Sequence, residues 1–112
     1  MAFYRAAIGG GGSAPTGFTQ VYSATTSTTT HTITGLTSRD VLLFAIYGGS
    51  GNKFVYNRYD GATCSGGTIS KLGNLYNSGS TYAAGTFYQV KPTSTSVTIT
   101  TTSGYARAYK VT

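Results

Sequence analysis

Four side chains supply nearly all of the conventional acid–base, nucleophilic and metal-binding chemistry in this sequence. They are two carboxylates, one imidazole and one thiol: Asp40, Asp60, His31 and Cys64. There is no glutamate in the 112 residues. Hydrolysis by paired carboxylates would require Asp40 and Asp60 to face each other across a substrate. Each lies where an aspartate commonly forms a turn, either before an apolar segment or before Gly61. We therefore predict that both are turn residues.

The thiol and the imidazole do not form a recognisable catalytic or metal-binding motif. A cysteine nucleophile needs a histidine within hydrogen-bond reach and a third group that orients the histidine. His31 lies in a threonine-rich segment far from Cys64, and neither has a second ligand at a zinc-site spacing. A calcium site of backbone carbonyls around Asp60 is the one metal site left open. We expect no enzymatic activity, no cofactor and no bound metal.

Two glycine-rich segments also fall short of a phosphate-binding loop. Gly9–Gly12 is followed by Ser13 and Ala14 rather than by lysine and a helix start. Gly48–Lys53 reaches a lysine, but at the wrong spacing and before a β-type segment, so no helix N-terminus would support a phosphate. We predict that these glycines form a hinge and a loop.

The composition restricts the class of partner. Charged residues make up 9% of the chain, and the net charge is +6. The cations are scattered rather than clustered in a stripe, so nucleic acid is not an expected partner. Scattered cations serve solubility or pair with an acidic neighbouring subunit. No apolar run is long enough for a transmembrane helix, and the N-terminus lacks the apolar core of a signal peptide. We therefore expect no membrane insertion. We expect the product to stay in the cell that makes it or to leave that cell by lysis.

The first 17 residues differ in character from the rest. Apolar residues precede the run Gly9–Gly12, whose ordering costs backbone entropy without supplying side chains for packing. We predict an extended N-terminal arm and hinge at residues 1–17. In this interpretation the arm attaches the protein to another subunit through Phe3, Tyr4, Arg5 and Ile8.

From Phe18 onward, short β-type segments alternate with turn residues. Val41–Tyr47 is a continuous apolar run, which predicts a central strand that is buried on both faces. Gly85 predicts a bulge, and Ser103–Gly104 predicts the turn of a hairpin formed by the last two strands. About seven or eight short strands at regular spacing favour an all-β fold. We predict a single antiparallel β-sandwich, of the jelly-roll or Ig-like type, at residues 18–112.

Tyrosine is the remaining functional signal, with ten in the chain. Tyrosine suits surfaces that are part apolar and part wet. Three interpretations stay open: core aromatics with hydroxyls at the rim, a subunit interface, and a carbohydrate-binding patch. The residues of the predicted glycan patch are Asn74, Tyr76, Asn77 and Tyr82.

The opening Met-Ala-Phe-Tyr-Arg, the glycine run and the Thr/Ser/Gly/Tyr-rich β domain resemble short virion proteins of tailed bacteriophages. The resemblance lies in Met1–Gly12 and, more loosely, in Thr30–Tyr47 and Ser96–Val111. It implies a non-enzymatic structural protein of a tail fibre, a baseplate or a head decoration, and it transfers no catalytic residue. It further implies a location in the virion, other virion proteins as partners, and a homo-oligomer such as a trimer. The alternative function is a carbohydrate-binding module that recognises a host receptor.

Overall fold

The computed structural model describes residues 17–48, 59–77 and 83–111. They form six β-strands and no helix. The strands are β1 (Phe18–Ile33), β2 (Leu42–Tyr47), β3 (Thr63–Ser65), β4 (Gly67–Asn77), β5 (Ala83–Pro92) and β6 (Val97–Val111). The predicted all-β class is confirmed, and β1 begins at Phe18. The predicted N-terminal arm lies outside the described residues.

All strand pairs are antiparallel and belong to one sheet, in the order β1-β6-β2-β5-β4. The predicted central position of the apolar run is confirmed, since β2 lies between β6 and β5. A sandwich of the jelly-roll or Ig-like type is not confirmed, because the described strands form one sheet rather than two.

The chain changes its strand partner at Gly66. This residue separates β3 from β4, but the two strands have different partners, because β3 pairs with β6 and β4 pairs with β5. Gly66 has a positive φ of 80°, a conformation that only glycine adopts at low cost. Its carbonyl accepts a hydrogen bond from Thr93 N at 2.9 Å, which fixes the junction to the loop before β6.

The expected hairpin between the last two strands is wrong. Val97–Val111 is one strand, and Ser103–Gly104 lies inside it. The buried residues change parity there, from Val97 and Ile99 to Ala106 and Ala108, with matching register shifts against β1. Gly104 is needed for close packing rather than for a turn, since a Cβ there would lie 2.9 Å from Ile46 Cδ1 and 3.0 Å from the Tyr47 carbonyl.

The expected bulge at Gly85 is also misplaced. Gly85 pairs in regular register with Tyr47 on one side and Leu75 on the other. The irregularity lies in the neighbouring strand, between Lys71 and Gly73. A Cβ on Gly85 would lie 3.2 Å from the Ile46 carbonyl, so the glycine is explained by a close approach of β2.

The core lies on one face of the sheet. Successive residues of a strand point to opposite faces, and Leu42, Phe44 and Ile46 of β2 are fully buried. Neighbouring strands add further buried side chains: Ile33, Tyr88, Val90, Val97, Ile99, Ala106 and Ala108. Burial of each large apolar side chain contributes about 1.5–3 kcal/mol. This packing fixes the strands whose other face is described below.

Candidate functional site

Asp40 holds a turn, as predicted. Its Oδ2 accepts a hydrogen bond from Thr37 N at 2.8 Å, and its own N–H donates to the Thr37 carbonyl at 3.1 Å. The same Oδ2 lies 3.4 Å from Lys110 Nζ, which ties the turn to the last strand. The contacts of the Asp40 carboxylate therefore stabilise the fold.

Asp60 holds the turn between Tyr59 and Gly61 against the sheet. Its carboxylate accepts hydrogen bonds from Asn74 Nδ2 at 2.7 Å, Lys71 Nζ at 3.0 Å and Thr86 Oγ1 at 3.5 Å. The hydrogen bond from Asn74, followed by that from Lys71, lowers the pKa of Asp60. The predicted turn role is confirmed, and the contacts add a role in docking the turn onto β4 and β5.

His31 is a core residue. Its Nδ1 lies 2.8 Å from the Tyr22 hydroxyl, and its ring meets Phe44 edge to face at a centroid distance of 5.6 Å. Nε2 is buried and has no hydrogen-bond partner. Burial lowers the pKa of His31, and the backbone of Thr28 acts in the opposite direction. The neutral imidazole is the form that the core accommodates.

Cys64 lies on β3, half-buried and paired with Ile99 of β6. Burial raises the pKa of its thiol, so the fraction of reactive thiolate at neutral pH is small. Among the described residues, no group of three or more His, Cys, Asp or Glu side chains could hold a metal ion. Within the same part of the chain, no helix is long and apolar enough to span a membrane.

The structure places part of the predicted site residues. Asn74 is half-buried, and its amide nitrogen donates to Asp60 and, at 2.9 Å, to Thr86 Oγ1. Tyr76 and Asn77 pair with Ala84 and Ala83 along β4. Tyr82 and the arm residues Phe3, Tyr4, Arg5 and Ile8 lie outside the described residues. The glycan patch and the arm therefore stay predictions.

The register brings together a second set of aromatic residues, on the face of the sheet opposite the core. Residues directly opposite in an antiparallel pair project to the same face, so pairing across four or five strands defines three rows. These rows, which we call the outer face, are Gln20–Tyr109–Leu43–Gln89–Ser70, Ser23–Arg107–Ala45–Phe87–Gly73, and Tyr105–Tyr47–Gly85–Leu75.

The aromatic side chains of the outer face surround one cation. Tyr47 and Tyr105 are stacked, with ring centroids 5.9 Å apart and an interplanar angle of 30°. Arg107 is exposed in the middle row, and a hydrogen bond to the Tyr109 side chain is the main cause that raises its pKa, with Tyr47 also contributing. The outer face is thus an aromatic surface with a guanidinium at its centre.

Ala45 has a short side chain and lies at the centre of this surface. Its cross-strand neighbours are Arg107 and Phe87, and its neighbours along the strand on the same face are Leu43 and Tyr47. All four side chains are longer than the alanine methyl group. At the border, Gln89 is only 8% exposed, and its amide nitrogen has no hydrogen-bond partner.

Sequence reasoning missed the outer face, although one signal for it was present. Tyr105, Arg107 and Tyr109 alternate in the last strand, and a β-strand places such residues on one side. The pairing with β2 places Tyr105 and Tyr109 on a common face, since they lie opposite Tyr47 and Leu43. Arg107 was counted only among the scattered cations, because its neighbours Tyr47 and Phe87 come from distant parts of the sequence.

The edge of the sheet is a second feature that bears on function. Among the described strands, β1 pairs only with β6, so its other side is a sheet edge. Its 16 residues include no lysine, arginine, aspartate, glutamate or proline. Charged residues and proline are common means of protecting an edge from pairing with another chain. Register irregularities leave three regular stretches: Phe18–Gln20, Tyr22–Ala24 and Thr30–Ile33.

Comparison of the chain with known proteins finds no matching family model, no matching curated protein and no matching solved structure.

Proposed function

We propose that the protein is a non-enzymatic structural component of a bacteriophage virion, in a tail fibre, baseplate or head decoration. In this proposal the N-terminal arm attaches the chain to the particle, and the β domain packs with other virion subunits. The observation that carries the proposal is the edge of β1, which follows the arm directly and has no charge or proline along its 16 residues. The jelly-roll or Ig-like type of the domain stays a prediction within this proposal.

The physical argument concerns the backbone of the edge strand. An unprotected edge offers N–H and C=O groups to a strand of another chain, and added-strand pairing is a common mode of association. A monomer would be expected to protect such an edge. Successive pairing around a closed ring of copies gives a cyclic oligomer, and we propose a homotrimer.

The first experiment locates the chain. Particles of the phage that encodes it are purified and probed with an antibody against the β domain, and the copy number is measured by quantitative mass spectrometry. We expect a fixed number of copies per particle and a large loss of copies when residues 1–12 are deleted. Undiminished incorporation of the deletion variant would overturn the role of Phe3, Tyr4, Arg5 and Ile8, and absence from particles would overturn the virion proposal.

The second experiment tests the edge. Thr30→Lys adds a charge at an exposed position in a regular stretch of β1, and Ser94→Lys adds the same charge at an exposed position of the loop before β6. Sedimentation equilibrium of the full chain should give an oligomer for the wild type and for S94K, and a smaller species for T30K. An unchanged mass of T30K would show that packing does not use this edge.

A second candidate function is carbohydrate binding at the host surface, and a specific observation favours it. The stacked Tyr47–Tyr105 pair and Phe87 lie on the outer face, where aromatic rings provide the apolar surface on which sugar rings pack. The candidate residues differ from the predicted patch around Asn74 and Tyr76. Glycan-array binding by the full chain that is lost in Tyr105→Ala but kept in Tyr76→Ala would support the outer face as the site.

A further inference from the structure

The charge of the outer face restricts the kind of ligand it can bind. Arg107 lies at its centre, and Lys91 follows Gln89 on the same side of β5. No carboxylate is present in the three rows. Asp40 and Asp60 pair with Lys110 and Lys71 elsewhere in the described part of the chain. The outer face is therefore electropositive without an internal counter-charge, and it complements an anion.

The side chains around Ala45 restrict the ligand further. The aromatic residues Tyr47 and Phe87 are its neighbours along β2 and across β5, and Arg107 is its neighbour across β6. A guanidinium binds a carboxylate through two parallel N–H···O bonds. A planar or ring-shaped ligand with a carboxylate fits this combination.

We propose that the outer face around Ala45 binds an acidic sugar unit, a uronic or sialic acid residue of a surface polysaccharide, with its carboxylate paired to Arg107. The sugar ring packs against Tyr47 and Phe87. The inference rests on the carbohydrate-binding candidate described above, and it deepens that candidate by naming the sugar class and the anchoring residue.

Two other occupants fit the outer face less well. A second copy placed face to face would bring the Arg107 side chains toward each other, which like-charge repulsion disfavours. Single-stranded nucleic acid also stacks on aromatic residues, but its binding needs a groove of cations that follows the phosphates. Arg107 and Lys91 are only two cations, and they lie on different strands, so they do not form such a groove. Both occupants are outcomes of the experiment below.

The test uses the full chain and a matched pair of probes in isothermal titration calorimetry. Tetragalacturonate carries carboxylates, and its methyl ester has the same rings without the charge. We expect the acid to bind more tightly than the ester. A charge-assisted hydrogen bond contributes about 1.5–3 kcal/mol, so Arg107→Gln should weaken binding of the acid about ten- to hundredfold. Arg39→Gln removes the same charge from the exposed Thr37–Asp40 turn and should bind like the wild type.

Arg107→Lys keeps the charge but loses the paired geometry, so it should recover part of the affinity and show that loss in R107Q is not a folding defect. Equal binding of acid and ester would overturn the acidic-sugar inference while leaving carbohydrate binding intact. Failure of both probes and of sialyllactose would overturn the inference and the carbohydrate candidate together. Binding of oligothymidylate, or self-association, that is lost in R107Q without any binding of the acidic probes would also overturn it.

Discussion

Substitution of Gly66 by alanine tests the junction between β3 and β4, where the chain changes its strand partner. Two costs arise there. The residue has a φ of 80°, which costs a side-chain-bearing residue about 1–2 kcal/mol. A Cβ would also overlap the Ser96 carbonyl oxygen and lie 3.4 Å from Val97 Cα. Both neighbours are backbone atoms that cannot rotate away, so overpacking adds about 1–3 kcal/mol.

Alanine also restricts the unfolded chain, which offsets about 0.4–1 kcal/mol of this loss. The free energy of unfolding of G66A should therefore fall by about 2–4 kcal/mol. Urea denaturation measures the change as a lower midpoint at an unchanged slope. Because β3 pairs with β6 beyond this junction, we expect the loss to affect the whole domain cooperatively.

Two matched variants separate the backbone cost from the steric cost. Gly35 has a similar φ of 73°, but a Cβ there would have no atom within 4 Å, so G35A should lose only about 1 kcal/mol. Gly61 has neither a positive φ nor a close neighbour, so G61A should be neutral or slightly stabilising. A loss in G66A no larger than that in G35A would refute the close packing of the junction against Ser96.

Three further predictions concern the core and the turn contacts. Burial lowers the pKa of His31 in the folded state, so the unfolded chain takes up the proton first as the pH falls. The free energy of unfolding should therefore decrease below pH ~6.5, by up to about 1.4 kcal/mol per pH unit, until the folded pKa is reached. Urea titrations at several pH values should show this dependence in the wild type and not in His31→Asn. Asp60→Asn should lower the denaturation midpoint at pH 7 and remove the acid-induced loss below pH 3.8, the side on which a lowered carboxyl pKa acts; an unchanged midpoint would contradict the docking role of Asp60. Phe44→Ala should cost about 3–5 kcal/mol in the same assay, since Phe44 is fully buried, and a cost below 1 kcal/mol would contradict its central position.

The sequence was sufficient for the β class and for the central strand, but not for the faces of that strand. Leu42–Tyr47 is apolar throughout, which predicts burial on both sides. In the structure only Leu42, Phe44 and Ile46 are in the core, and the alternate residues are half-buried. An apolar side chain on the outer face looks the same in sequence as one in the core, so the pattern could not reveal which face meets solvent.

The roles of the glycines were the least accurate part of the sequence prediction. Ser103–Gly104 predicted a turn because glycine commonly allows backbone conformations that other residues avoid. Gly104 is instead required because a side chain would not fit: a Cβ would lie 2.8 Å from the Tyr59 ring and 2.9 Å from Ile46. Both contacts join segments that are distant in sequence. Only the strand pairing shows which of the two roles a glycine has.

Dependence on contacts between distant segments also explains why the sequence predicted only part of the candidate site. The turn roles of Asp40 and Asp60 depend on residues a few positions away, and both were predicted correctly. The outer face depends on register: Arg107 faces Ala45, and Tyr47 faces Tyr105, through pairing between β2 and β6. A shift of one residue would exchange the core and outer sets. No local pattern in the sequence specifies that pairing.

The scarcity of carboxylates acquires a positive consequence once their contacts are known. Each aspartate stabilises a turn and forms an ion pair with one lysine. The carboxylate of Asp40 lies 3.4 Å from Lys110 Nζ, and that of Asp60 lies 3.0 Å from Lys71 Nζ. The guanidinium of Arg107 has hydrogen bonds to tyrosine side chains, and the two described aspartates pair with lysines instead. The strand beneath it cannot shift easily, because Phe44 and Ile46 on either side of Ala45 are fully buried. A cation that is held in place without a counter-ion needs little reorganisation free energy when an anion binds. A site for an acidic ligand requires this property.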